Sequence, residues 1–475
     1  MRSAQPQRGR RKSGKVLAAM MAGLSICIGC PVLSVMAAAQ PAAYVQESVG
    51  EKNVANKVIH TVFIQGNTIS KEKLIRAALP ALHEGKVLNV KTLSDEIMLA
   101  NENGFRQLTV DLRPAADNML DAYVTVRETD AVKFVLTADN TGNDYTGDWR
   151  TRLTYVNGNV NGSGQTGIIS YTTSPGHLRD VKQFGLYYNF PLPKAKDNLY
   201  LTASYSDANS GTIISDSAFS IDASGKGNSV GLHYVHNLLR TPTAKQGLDF
   251  GLDFRQYKND TMLTVGATPI EIGVDVDSMP LSVTYQGSQR YGSSFTAYSL
   301  GYVRNLPGGG KNSTSQYEKY RSDTDANYQL WRGSYNYQHM FSSKWLVNVV
   351  LTGQYTNERL IYPEQLGLGG ARSVRGLDER DVSGDRGLQA SLELYTPEIA
   401  KGQRLLAFID AGHFSNVKPV SGDLDSDSAA ACGIGWRASF GGGYSVSADF
   451  GYVLNGTVNT DTHSKKLHFS ASKVF

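Results

Sequence analysis

The chain has 475 residues, 41% hydrophobic and 19% charged, with 48 glycines and 25 tyrosines, a balance that excludes disorder and low complexity. Its net charge of +4 is concentrated, because Arg2, Arg8, Arg10, Arg11, Lys12 and Lys15 stand in a segment, 1–39, that holds no acid. Without those six, 41 basic residues face 43 acidic ones, and no electrostatic case for nucleic-acid binding remains.

The first 39 residues have the order of an export signal. A basic stretch, MRSAQPQRGRRKSGK, leads into the apolar run VLAAMMAGLSICIG. Small residues at Ala37 and Ala39 then place cleavage before Gln40. Cys27 and Cys30 leave with the signal, so Cys432 has no partner for a disulfide within the chain. Beyond it no run of 18 apolar residues occurs, so a membrane crossing has to be made by a β-barrel.

A short linker, 40–56, precedes a mixed segment, 57–128. KVIHTVFIQG alternates like a strand; Ser70 is placed to cap the helix KEKLIRAALPAL, which Pro80 shortens. NVKTLSDEIMLANENG follows with Leu93, Ile97 and Leu99 at roughly helical spacing, then the strands RQLTVDLRP and MLDAYVTVRE. The order β-α-α-β-β gives a three-stranded sheet covered by two helices.

From residue 129 to 475 the pattern becomes period two in segments of ten to fourteen residues. In YSVSADFGYVL, Tyr444, Val446, Ala448, Phe450, Tyr452 and Leu454 share one face, while Ser445, Ser447, Asp449 and Gly451 share the other. Such segments begin near 131, 148, 164, 180, 197, 226, 246, 279, 294, 328, 344, 386, 403, 429, 443 and 464, sixteen in all. Even strand number, polar-in and apolar-out alternation, aromatics at segment ends and alternately short and long connections are the marks of an all-β transmembrane barrel. Strands of a soluble sandwich are about half as long.

No enzyme chemistry stands out. His233 and His236, three apart on a strand, face opposite ways and do not make a metal pair. GGGKNST resembles a phosphate loop, but Asn305 and Asn312 stand at positions that need Gly and Ser or Thr, so it reads as a solvated external loop. No Gly-x-Ser-x-Gly elbow occurs. No catalytic residue, metal or cofactor is therefore assigned.

One charged stretch is different. ARSVRGLDERD lies in the long segment 358–385, and the strand after it, RGLQASLELYT, turns Glu393 to the face opposite its leucines. In RLLAFIDAGHF the same parity turns Asp410 inward. An Arg fork can hold two carboxylates at once, so the spacing admits two readings: the loop folds into the barrel with Arg375 on Asp410, Glu393 or both, or each charge simply lines a wet lumen. Gly376 forms the tip, and Asp378, Glu379, Arg380 and Asp381 form a solvated stem.

Here the sequence resembles a known superfamily, the one that joins BamA-type assembly factors to two-partner secretion (TpsB) transporters. VRGL, with Val374 and Leu377 about Arg375 and Gly376, resembles its Val-Arg-Gly-aromatic motif. FIDAG, with Phe408, Asp410 and Gly412, resembles its Phe-x-Asp-x-Gly motif. The resemblance implies that Arg375 meets Asp410, and SLELYTP brings in Glu393; Leu377 departs from the usual aromatic. TADNTGNDYTGDWR, YYNFPLP and SGDRG tilt towards the haemolysin-activator and adhesin-secretion branch (ShlB/FhaC/HecB type). Segment 57–128 resembles its barrel-proximal periplasmic POTRA domain, although members commonly carry two such domains behind a plug helix. The resemblance implies a transporter of an unfolded exported protein in the outer membrane of a Gram-negative-type cell, with the POTRA domain in the periplasm. Its expected partners are the secreted exoprotein, outer-membrane lipids and the barrel assembly machinery, which reads Phe475. The POTRA strand of Arg106, Gln107, Leu108, Thr109, Val110, Asp111 and Leu112 is the expected docking edge. The alternative implied by the same superfamily is a BamA-like factor that inserts outer-membrane proteins.

Overall fold

The computed structural model describes residues 57–475 apart from 102–103, 116–117, 144–145, 163, 216–218, 260–261, 266–267 and 272; the expected export signal, 1–39, and linker, 40–56, lie outside the described residues. The small N-terminal domain runs β1 (Val58–Gln65), α1 (Glu72–Ala78), α2 (Val90–Ala100), β2 (Arg106–Pro114) and β3 (Met119–Glu128). The sheet order is β1-β3-β2, with β1 parallel and β2 antiparallel to β3. Ile75, Leu93 and Ile97 from the helices pack on Leu108, Leu120 and Val124 of the sheet. Burying such side chains supplies the main favourable energy of a domain this small.

Ser70 does not cap α1. Lys71 holds that position without a side-chain bond, and Pro80 opens a separate 3-10 turn, Pro80–Leu82. The entry to α1 is held instead by Glu128, whose carboxylate accepts the N–H groups of Thr68 at 2.8 Å, Ile69 at 2.6 Å and Ser70 at 2.9 Å. Burial pushes this carboxyl up, but the hydrogen bonds from Ser70, Ile69 and Thr68 outweigh it and hold its pKa below the usual carboxylate value. At α2, Asn89 is a true cap, its Oδ1 accepting the Thr92 N–H at 2.9 Å.

Sixteen antiparallel strands close the barrel, beginning at Val132, Arg150, Gln165, Val181, Asp197, Phe219, Ala244, Pro280, Ser294, Gln329, Leu346, Arg386, Gln403, Ser426, Tyr444 and Lys465. Strand six starts at Phe219 rather than near 226. It and strand five (Asp197–Ser215) outrun the expected length, and a further hairpin, Met262–Val265 with Thr268–Glu271, continues the wall beside strand six. Leu388, Leu392, Ile409, Phe450 and Leu467 are exposed on the outside, whereas Glu393, Asp410, Asp449 and His468 are buried within. Short turns lie at the end that carries the small domain. There Lys196 of one turn meets Asp95 of α2 at 2.8 Å, and Phe105 packs over Gly158.

The closing ladder, between strand sixteen (Lys465–Val474) and strand one (Val132–Asp139), has five residue pairs, fewer than any other consecutive barrel ladder among the described residues. Asn140 extends it with its side chain. Its amide donates to Leu467 O at 2.6 Å and accepts Phe469 N–H at 2.7 Å, standing in for one more strand residue.

The connection after strand nine (Ser294–Asn305) is a folded cap, not a solvated loop. It carries a short helix, Thr314–Tyr320, with Tyr317 buried in a cluster with Tyr257, Tyr328, Leu330, Leu360 and Ile361. The two asparagines that spoil the phosphate-loop pattern build it: Asn305 Nδ2 donates to Asn312 Oδ1 at 2.7 Å and to Ala326 O at 2.6 Å.

Candidate functional site: a loop fastened inside the barrel

The segment after strand eleven (Leu346–Tyr355) enters the lumen. It makes a 3-10 turn, Tyr362–Glu364, then a small two-stranded ribbon, Leu366–Leu368 with Val382–Gly384, and comes to its tip at Val374–Gly376. It leaves into strand twelve (Arg386–Tyr395), which pairs with strand thirteen (Gln403–Ser415).

Arg375 is buried at the tip and meets both predicted carboxylates. Its Nε donates to Asp410 Oδ2 at 2.7 Å and its Nη2 to Asp410 Oδ1 at 2.8 Å, the two-pronged geometry that makes guanidinium–carboxylate pairs strong. Nη1 donates to Glu393 Oε1 at 2.7 Å, Nη2 to Ser391 Oγ at 3.1 Å, and the Arg375 N–H reaches Asp410 Oδ2 at 3.1 Å. The guanidinium lies 3.5 Å from the centre of the Phe408 ring, where the ring's negative face favours a cation. Glu393 is oriented by Asn348 and Tyr395, each at 2.8 Å.

A third carboxylate enters from strand fifteen (Tyr444–Asn455). Asp449 lies 3.7 Å from Arg375 Nη1 and is held by both η nitrogens of Arg437, at 2.7 and 2.8 Å. Two arginines thus serve three buried carboxylates, and each carboxylate has a guanidinium within hydrogen-bonding distance, which offsets its burial.

Gly376 has a φ of 101°, a backbone conformation that a side chain disfavours. Its N–H donates to His468 Nε2 at 3.0 Å. Opposite stands Gly451, where a Cβ would lie 2.6 Å from Gly376 N and 2.8 Å from Arg375 C. The tip therefore seats against bare backbone. Leu377 and Val374 are fully buried with Ala429, Ala431 and Val453. Leu377 therefore packs against two small side chains of the wall, at the position where the resembling motif has an aromatic. Gly412 leaves room for Leu368, since a Cβ there would come within 2.7 Å of Leu368 Cδ2.

Sequence reasoning missed a second fastening. Glu364, on the 3-10 turn, is buried between two arginines of the wall. Arg255 of strand seven (Ala244–Asn259) reaches Oε1 at 2.9 Å, Arg332 of strand ten (Gln329–Met340) reaches Oε2 at 3.0 Å, and the Tyr257 hydroxyl donates at 3.0 Å. Inward parity of Arg255 and Arg332 was readable; the acid that meets them sits on irregular backbone with no period to reveal it. Nearer the long-loop end, buried Asp385 accepts from Arg321 at 2.6 Å, from Gln365 at 2.9 Å and from Val417 N–H at 2.8 Å. Arg321 belongs to the folded cap, so cap and loop are tied together.

The stem is not solvated as expected. Asp378 is exposed and pairs with Lys466, but Arg380 donates to the carbonyls of Tyr362 and Gln365, each at 3.2 Å. Glu379 accepts the Ala371 N–H at 2.8 Å, and buried Asp381 is held by Thr457 and Thr460. Arg380 and Glu379 thus satisfy backbone groups of the loop itself, while Asp381 ties the loop to the connection before strand sixteen.

In the small domain, β2 is an edge of its sheet, but its expected docking residues divide. Arg106 is buried with its guanidinium beside Gly164 of a barrel turn and is not on the open edge. Leu108, Val110 and Leu112 point into the core, while Gln107, Thr109 and Asp111 face outward. The main chain of Leu108 is already engaged by Asn101, whose amide accepts its N–H at 2.7 Å and donates to its carbonyl at 3.0 Å.

Comparison with known proteins returns the same barrel fold and a family for the chain. A family model described as "Haemolysin secretion/activation protein ShlB/FhaC/HecB" matches residues 121–438. The chain belongs to this family. Curated relatives include the outer membrane transporter CdiB of Dickeya dadantii (strain 3937), 24% identical over 401 residues, covering 81% of this chain and 69% of that protein. The heme/hemopexin transporter protein HuxB of Haemophilus influenzae (strain ATCC 51907 / DSM 11121 / KW20 / Rd) is 21% identical over 434 residues, covering 87% and 74%. Among solved structures, CdiB from Escherichia coli superposes with a TM-score of 0.74 at 19% identity, covering 88% of this chain and 77% of that one. BamA from Haemophilus ducreyi lacking POTRA domains 1–3 gives 0.54 at 15% identity, covering 88% and 85%. Membership makes this ShlB/FhaC/HecB-type protein an outer-membrane transporter of the two-partner secretion class.

Proposed function

We propose that the chain secretes one unfolded exoprotein of the adhesin or haemolysin class through its barrel, and that residues 57–128 act as a POTRA domain that docks it. The observation that carries this reading is the loop. It occupies the lumen, yet only hydrogen bonds, ion pairs and side-chain packing fasten it, all reversible. Transport requires release of Arg375 from Asp410 and Glu393, so these residues act as a conformational lock and not as a catalytic group.

Docking uses main-chain pairing at the β2 edge, which asks little of the cargo's sequence. Because Asn101 covers Leu108, docking falls beyond it, at Val110. Once outside, folding of the cargo makes passage directional without nucleotide or metal.

The test is whether the neighbouring gene encodes a large exported protein and whether this chain is needed for its export. Deletion is expected to leave that protein in the periplasm, and restoration of the gene to return it to the medium. Secretion unchanged by the deletion overturns the proposal.

A further inference from the structure

The membrane-facing wall carries a feature apart from the lumen. Leu300, Gly333, Gly353 and Leu388 lie side by side on strands nine to twelve. The two glycines leave a groove of about 600 Å³, walled by Trp331, Tyr335, Tyr355 and Leu388, all of which remain exposed. It lies in the extracellular half of the wall, one rung inside the aromatic row Tyr302, Trp331 and Tyr355.

That aromatic row continues in register to Arg386, which also lines the groove. Arg386 Nε donates to Ser415 Oγ at 3.0 Å, and no ion pair engages Arg386 among the described residues. His413 continues the glycine rung opposite Leu388. Neither rung carries a carboxylate across strands nine to fourteen.

We propose that this groove binds an anionic glycolipid of the outer leaflet, one acyl chain lying over Gly333 and Gly353 and a phosphate meeting Arg386. Within a membrane there is no hydrophobic gain in moving a chain from lipid to protein, so affinity has to come from shape and from the head group. The glycine floor supplies shape by letting a chain approach the backbone between aromatic walls. Arg386 supplies the head-group contact, its planar fork suited to phosphate and its place on the aromatic girdle setting it at head-group depth. The missing carboxylates matter as much, because a neighbouring acid would repel the phosphate.

The test uses the purified full chain in detergent, titrated with bisphosphorylated lipid A, its dephosphorylated form and phosphatidylethanolamine, with bound lipid counted by native mass spectrometry. Bisphosphorylated lipid A is expected to bind tightest. Arg386→Gln should weaken it about tenfold, the loss of one charge-assisted contact, while leaving the dephosphorylated form unchanged. Gly333→Leu fills the groove, where a new Cβ meets nothing nearer than Ser299 O at 3.6 Å, and should abolish retention of both lipid A forms. Heat-dependent gel mobility reports whether each variant has folded; should Gly333→Leu fail to fold, Arg386→Gln decides. Equal binding of all three lipids, or lipid A binding indifferent to both substitutions, overturns the proposal.

Discussion

The internal loop is held at two places by opposite arrangements of charge. At its tip the cation, Arg375, belongs to the loop and the carboxylates Glu393, Asp410 and Asp449 belong to strands twelve, thirteen and fifteen. At its 3-10 turn the acid, Glu364, belongs to the loop and the cations Arg255 and Arg332 belong to strands seven and ten. The wall thus offers carboxylates to the tip and guanidinium groups to the turn, and the loop presents the complementary charge to each. A loop inserted the other way round would set like charges together, so the pairing selects orientation as well as position. Both loop charges are buried, but the wall partners differ: the Glu393 and Asp410 side chains are 10% and 0% exposed, whereas those of Arg255 and Arg332 are 18% and 39% exposed. Water at the second site weakens it relative to the first.

The largest effect is expected from Arg375→Ala, which takes the cation from buried Asp410 and Glu393 while Asp449 keeps Arg437; loss of one partner from a buried pair costs about 3–5 kcal/mol. Hydrogen exchange of residues 366–384 should show protection falling by that amount, with the barrel strands unchanged, and planar-bilayer recordings should show larger and more frequent openings. Exchanging the charges of Arg375 and Asp410 should restore part of the lost transport. Glu364→Ala should cost less, about 3 kcal/mol at the lower end of that range, because Arg332 recovers hydration. A greater loss from Glu364→Ala than from Arg375→Ala would reverse the ranking of the two sites.

Leu377→Phe comes next, since overpacking a filled pocket costs about 1–3 kcal/mol. It should loosen the tip without touching a charge; a tighter tip in the same exchange experiment would contradict the close fit to Ala429 and Ala431. The smallest effect lies outside the loop. Glu128 has a folded pKa below its unfolded value of about 4.3, so its stabilising contribution is present above that pH and lost as pH falls through the folded pKa. Protection of the 68–70 amides should therefore fall on acidification, and Glu128→Gln should remove that dependence. Acid-insensitive protection in the unsubstituted chain would mean that the carboxylate does not hold the turn.

Much of this was readable in the sequence, for physical reasons that differ from place to place. Each barrel strand has lipid on one side and polar lumen on the other, so period-two alternation recovers all sixteen and turns Glu393, Asp410 and Asp449 inward. Irregular backbone has no such period. Glu364 and the folded cap around Tyr317 were invisible for that reason, and the charges of the stem looked solvated because composition does not report which groups they meet. Parity also fails to say which inward residues meet: Asp449 was seen to face the lumen, but not to lie beside Arg375.

The approach of Gly376 to Gly451 carries a consequence for how the resting shape is specified. Arg375 is drawn to its carboxylates over several ångströms, and any wall that brought them together would attract it. Only where two backbones touch does the loop stop at one depth and in one rotation. The depth gauge is made of hydrogen atoms, and a single methyl group at residue 451 would raise the stopper while leaving every charge in place. Electrostatics chooses the seat; missing side chains define how far down it lies.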